Sequence, residues 1–341
     1  MLIAIDASRA NKDKKTGVEW YSYHLIEQLK RLDRDNHYFL YTDKPLKGDL
    51  AKCPTNFEEK VLQWPLPRFW TIGRLSLEML FGKKKPDVLF VPAHTLPLFC
   101  PKKAIVTVHD IGFEHFPEYY HWADKLYHKL SIKIIKRKAS KILTVSNYSK
   151  NDIAKVYNIP LEKIKVVYNG YDRANYQVLD KKEGTPKMLD NPYLLFIGRL
   201  ELKKNIPRLV EAFGRFKQKH SDTKYKLVLI GTKGLTYPLV EERIKKFNLE
   251  KDIIMPGWVS DEDLPKWLNS AELFVFPSNF EGFGIPVVEA MACGCPVICS
   301  NSTSLPEAAG EAALMFAPNS TEEIVARMEQ VLFNPEVRES L

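Results

Sequence analysis

The chain has 341 residues, 45% of them hydrophobic and 27% charged, with a formal net charge of +8. This balance excludes disordered and collagen-like chains and predicts packed cores throughout. The length exceeds what one core usually organises, so two domains are expected. In chain order, LIAID, YFLYT, DVLFVP, AIVTVHD, ILTVS and IKVVYN read as strands of the first half, and YLLFIGRL, KLVLIG, DIIMPG, LFVFP and PVICS as strands of the second. Amphipathic stretches separate them, the pattern of βαβ units with parallel sheets. Residues 177–192, QVLDKKEGTPKMLDNP, are polar, carry Gly and Pro, and lack apolar periodicity, which predicts a linker. The expected fold is α/β, with two doubly wound Rossmann-like domains, 1–180 and 181–341, facing across a cleft.

The charge is uneven. Residues 1–180 hold 30 Lys and Arg against 20 Asp and Glu, and residues 181–341 hold 20 against 22. The runs HKLSIKIIKRKASK (128–141) and WPLPRFW (64–70) could form a surface for an anionic partner. No nucleic-acid module accompanies them, so weak contact with an anionic membrane is the preferred reading. The N-terminus reads as a strand rather than a signal peptide, and no apolar run approaches about 20 residues, which predicts a cytoplasmic protein, soluble or at the inner membrane face. Five cysteines without a C-x2-C pair predict reduced thiols that serve as small hydrophobes, and no metal site.

Two segments carry chemistry. In FPSNFEGFGIPVVEAMACGCPVICS a strand meets a loop and then a helix beginning near Pro286 and closing at Gly294. Backbone N–H groups around Phe283, Gly284 and Ile285 would sit at the positive end of that helix, a phosphate-type site. Glu281 and Glu289 bracket it and suit sugar and ribose hydroxyls, though each also fits a plain structural role. In YLLFIGRLELKKNIPRLVEAF a strand ends at Gly198, Arg199, Lys203 and Lys204 follow, and Asn205 and Pro207 open a helix. Cations at a strand's carboxyl end can offset charge building on a departing diphosphate, although most such pairs are solvated surface.

Taken together, these motifs resemble the family-four retaining glycosyltransferases of the GT-B fold, whose E-x7-E motif Glu281 and Glu289 match. TGVEWYSYHLIEQL, TVHDIGFEHFPE, TVSNYSKNDI, VVYNGYD and GWVSDEDLPKWLNSAELFVFPS extend the resemblance over nearly the whole chain. It implies that Arg199 and Lys204 hold the donor diphosphate, that Glu281 faces the donor sugar and that Glu289 accepts from the ribose. It implies that Phe283, Gly284 and Ile285 serve sugar and phosphate through their backbone, and that Trp258 and Val259 lie beside the base. His109 would reach the donor sugar from the first domain, with Asp110 beside it, and Gly17 would let the backbone approach the ligand. Most members carry Gly-Gly where this chain has Thr16-Gly17. Members also usually continue past VLFNPEVRESL into a helix that crosses back to the first domain, a helix expected to be absent here.

The implied activity is transfer of a hexose, mannose from a GDP donor or glucose or N-acetylglucosamine from UDP, with retention and without a metal cofactor. The partners are a nucleoside-diphosphate sugar and a saccharide or lipid-linked acceptor of envelope polysaccharide synthesis. Alternatives are a non-catalytic nucleotide-sugar-binding protein and glycoside hydrolysis by Glu281 and Glu289, which the phosphate-type site beside them disfavours. A dinucleotide oxidoreductase is disfavoured because no G-x-G-x-x-G follows the first strand.

Overall fold

The computed structural model describes residues 1–66, 69–179 and 188–341. The chain divides into two compact units, Met1–Asn169 and Gly170–Leu341.

The first unit runs β1 (Leu2–Asp6), α1 (Gly17–Leu32), β2 (His37–Thr42), β3 (Phe57–Val61), α2 (Ser76–Phe81), β4 (Val88–Val91), β5 (Lys103–Thr107), α3 (Gly112–His115), α4 (Trp122–Lys138), β6 (Lys141–Thr144), α5 (Asn147–Tyr157) and β7 (Ile164–Val166). Its strands form one parallel sheet in the order β3-β2-β1-β4-β5-β6-β7. Successive side chains of a strand point to opposite faces, and here each face meets its own core. Ala4, Phe39, Tyr41, Leu89 and Val91 pack on one side, and Ile5, Tyr38, Leu40 and Phe90 on the other. This two-sided burial explains why these strands read as near-continuous apolar runs.

The second unit runs β8 (Tyr193–Ile197), α6 (Ile206–Lys219), β9 (Lys226–Ile230), α7 (Pro238–Lys246), β10 (Ile253–Gly257), α8 (Leu264–Ser270), β11 (Leu273–Phe276), α9 (Ile285–Ala292), β12 (Val297–Ser300), α10 (Leu305–Ala309), β13 (Leu314–Phe316), α11 (Thr321–Leu332) and α12 (Pro335–Glu339). Its parallel sheet has the order β10-β9-β8-β11-β12-β13. Cys293, Cys295 and Cys299 are free thiols buried in its core.

Two elements and one boundary depart from expectation. The strands β3 and β13 have no counterpart among the sequence-predicted ones. The edge strand β3 presents Glu58 and Glu59 outward, and β13 is three residues long. The division falls after Asn169 rather than at 180, because Tyr171 and Tyr176 pack on the second core and the Leu179 amide donates to Asn269 Oδ1 at 2.8 Å. Much of the expected linker, and part of the 64–70 run, lie outside the described residues.

In each sheet the order reverses once, between β1 and β4 in the first unit and between β8 and β11 in the second. Ligands of open parallel sheets bind beyond the carboxyl ends of strands at such a point.

Candidate active site

The second unit gathers most of the sequence-predicted residues at its switch point. From β8 the chain passes Gly198, Arg199 and a short 3-10 turn, Leu202–Lys204, before α6. From β11 it passes the 277–284 loop before α9. The two loops are joined: the Asn279 amide donates to the Lys203 carbonyl at 3.0 Å, and Asn279 Nδ2 donates to the Leu202 carbonyl at 3.1 Å. Across this junction Lys204 Nζ donates to Glu281 Oε1 at 2.5 Å. Both side chains are largely shielded, with exposures of 20% and 12%, whereas Arg199 is 61% exposed and only loosely paired with Glu201 at 4.0 Å. Lys203 turns away to lie over the Phe280 ring. Asn205 precedes α6 in a left-handed conformation, but its side chain donates to the Pro318 carbonyl instead of capping the helix.

A Ser/Thr run that reads as ordinary loop in the sequence holds the Glu281 loop in place. Thr303 Oγ1 accepts from the Glu281 amide at 3.0 Å. Ser304 Oγ donates to the carbonyls of Glu281 and Phe283, at 2.9 and 3.1 Å. Ser300 and Ser302 donate to the Ser278 carbonyl. Gly284 then opens α9 with φ +108°, and a Cβ there would lie 2.5 Å from Leu305 Cδ2, so the position demands glycine twice over. A helix start leaves its first amides without intrahelical partners, and those of Gly284 and Ile285 occupy that place here.

Glu289 lies one turn into α9 and is held from outside the helix. The hydroxyl of the buried Tyr176 donates to its carboxylate, which lowers its pKa slightly, but burial foremost, and then the charge of Asp261, push it up to about 7. Gly257, at the end of β10, is followed by the exposed Trp258 and by Val259, which packs partly on the core. The 258–261 loop therefore approaches Glu289 through Asp261.

In the first unit His109 and Asp110 follow β5, and Gly17 opens α1. His109 is buried, with Nε2 3.2 Å from the Pro92 carbonyl. With Nε2–H donating to that carbonyl, Nδ1 is left to accept. Burial lowers the His109 pKa, the Pro92 contact and Asp110 opposing, so the ring is neutral at pH 7. Two neighbours that sequence reasoning missed fix its plane. Tyr21 meets it edge-on at 4.6 Å and anchors its own hydroxyl to Thr107 Oγ1, and His94, after β4, lies at 5.1 Å. No local motif marks either residue; α1 and the β1/β4 reversal bring them there. Asp110 Oδ1 accepts from the Gly112 amide at 2.8 Å and so starts α3. A Cβ on Gly17 would meet nothing within 4 Å, so nothing in the unit itself requires glycine there. A separate cavity of about 300 Å³, lined in part by Asn11, Lys15, Trp20 and Tyr23, contains none of the sequence-predicted site residues.

Among the described residues no cluster of His, Cys, Asp and Glu could hold a metal ion, and no helix is long and apolar enough to cross a membrane.

Comparison with known proteins identifies the family. Residues 15–175 match the family described as Glycosyltransferase Family 4, and residues 178–341 match Glycosyl transferases group 1. The chain is 35% identical over 321 residues to O-antigen chain mannosyltransferase B of Escherichia coli, covering 92% of this chain and 81% of that protein. It is 30% identical over 258 residues to O-antigen chain mannosyltransferase RfbU of Salmonella typhimurium, covering 76% and 67%. A crystal structure of Anabaena Alr3699/HepE in complex with UDP and glucose superposes with a TM-score of 0.72 over 99% of this chain and 91% of that one, at 17% identity. With two sheets of GT-B topology and relatives that cover most of its length, the chain belongs to glycosyltransferase family 4 and is a glycosyltransferase.

Proposed function

We propose that the enzyme transfers a hexose of the mannose type from a nucleoside-diphosphate sugar to a saccharide or lipid-linked acceptor in envelope polysaccharide synthesis, with retention at the anomeric carbon. The reading is carried by the grouping of Arg199, Lys204, Glu281 and Glu289 with the α9 N-terminus beyond the carboxyl ends of β8 and β11. The two curated relatives, both named as O-antigen mannosyltransferases, support the sugar and the pathway class. In this reading the diphosphate meets Arg199, Lys204 and the α9 amides. Glu281 receives sugar hydroxyls, Glu289 receives the ribose, and the base lies beside Trp258 and Val259. For the first unit the family resemblance gives His109, Asp110 and Gly17 roles toward the donor, and within that unit His109 Nδ1 is left to accept while Asp110 fixes the turn after it.

The anomeric C–O bond breaks with its electron pair passing to the β-phosphate oxygen. The acceptor hydroxyl bonds to the same carbon from the same face, and its proton goes to that departing oxygen. Arg199, Lys204 and the helix terminus stabilise the charge on the leaving group, so no metal ion takes part in the step. With a lipid-linked acceptor the enzyme works at the inner face of the membrane.

Thermal melting with GDP, UDP, dTDP and ADP, alone and as their sugars, tests the reading. One nucleotide raises the melting temperature selectively, by the equivalent of about 2.7 kcal/mol at about 100 times its Kd. The response is lost in the Arg199→Ala, Lys204→Ala double variant. Absence of any response in the wild type would overturn the proposal.

A further inference from the structure

Thr303 holds a conformation that its own chemistry disfavours. Its φ is +52°, in the left-handed region. Asn158, Asn205 and Asn248 share that region, but the short polar side chain of asparagine tolerates it. A β-branched residue is strained there, whereas glycine would not be. Such strain persists only where the surrounding structure over-determines a residue, and it collects at active sites and ligand clamps.

The constraint on Thr303 comes from both of its neighbours and converges on the Glu281 loop. Ser302 Oγ donates to the Ser278 carbonyl at 2.9 Å, and the buried Ser304 donates to the carbonyls of Glu281 and Phe283. Between these two anchors the chain turns left-handed, and Thr303 Oγ1 comes to accept from the Glu281 amide at 3.0 Å. The N–H and the C=O of Glu281 are thus both held by side chains of one turn before α10. The carboxylate they carry meets Lys204 Nζ at 2.5 Å. Glycine at 303 would relieve the strain and would also remove the acceptor of the Glu281 amide.

We propose that Thr303 and Ser304 are positioning residues of the transfer reaction, which aim Glu281 at the donor sugar, and that the strain at Thr303 is retained because its hydroxyl sets that aim. The inference rests on the reading that Glu281 receives hydroxyls of the donor sugar, and it names the groups that fix the carboxylate for that task. A residue that only braced the fold would, on substitution, weaken a free nucleoside diphosphate and its sugar alike. A residue that positions Glu281 acts on the sugar.

The test is calorimetric titration of the full chain with GDP against GDP-mannose and with UDP against UDP-glucose, together with the rate at which the sugar nucleotide releases its nucleoside diphosphate. Thr303→Val keeps the branched shape and removes the acceptor. It weakens the sugar nucleotide about tenfold more than the free diphosphate, the order of one hydrogen bond to a charged group. It slows release by up to about a hundredfold, the order for a reacting group displaced by about 1 Å. Thr303→Ser, which keeps the hydroxyl, restores both values. Thr303→Gly, which is free of the strain, and Ser304→Ala show the same selective loss, so the reading does not depend on Thr303→Val folding. Adding Thr303→Val to Glu281→Gln produces no further loss, because the two residues act as a unit. Equal weakening of diphosphate and sugar nucleotide, wild-type behaviour of Thr303→Gly, or losses that add in full on Glu281→Gln would each overturn this proposal and leave the donor reading standing. A wild type that binds none of the four ligands overturns the donor reading and this proposal with it.

Discussion

Glu289 carries the most perturbed carboxyl among the proposed ligand-binding residues, and its consequence is a stability that depends on pH. Its pKa in the folded chain is about 7 against an ordinary 4.5, chiefly because burial disfavours the charged form. A carboxyl raised in this way contributes its full stabilisation below 4.5, where it is protonated in both states. The contribution is lost as pH rises through 7, and above that it is flat. Relative to Glu289→Gln, the wild type therefore loses up to about 3 kcal/mol between pH 4.5 and about pH 8, measurable by denaturant titration at each pH. A difference between the two proteins that stays constant with pH would contradict this account. The sequence marked Glu289 as a site residue but gave no sign of its environment, because Tyr176 and Asp261 reach it from other elements. The Lys204–Glu281 pair is similar: both residues were legible, 77 positions apart, and their contact arises only because β8 and β11 are neighbours.

At the scale of elements, α9 shows where local chemistry decides. Pro286 in its first turn and Gly294 after its last were readable as a helix start and stop, and the helix spans Ile285–Ala292. What the sequence did not disclose is that Gly284 is wedged against Leu305 of α10 and that Thr303 and Ser304 suspend the preceding loop. Gly284→Ala is expected to cost about 1–3 kcal/mol through strain at positive φ and the Leu305 contact, and to impair donor binding by moving the first amides of α9. Melting temperature and nucleotide titration of the variant check both. The buried strands were legible because two-sided burial writes long apolar runs. The charged edge strand β3 and the three-residue β13 lack that signal, and the boundary after Asn169 was hidden because the polar stretch beyond it is partly bound to the second core.

At the scale of the whole molecule, the proposed roles predict where a nucleotide is felt. Hydrogen exchange with the stabilising nucleoside diphosphate is expected to slow at 198–205, 257–261 and 281–289, and to leave β12 and β13 unchanged. Uniform slowing across the chain would argue against a donor site built on the second switch point. The strand orders also bear on how the polypeptide is made. β1, the first strand to emerge during synthesis, occupies the interior of its sheet. β2 and β3 then add outward on one side of it, and β4 to β7 add in turn on the other. β8 stands in the same relation to β9 and β10 on one side and to β11, β12 and β13 on the other. No strand has to be inserted between two already paired, so each sheet can grow by edge addition in the order of translation. The first unit can complete its sheet while the second is still being synthesised.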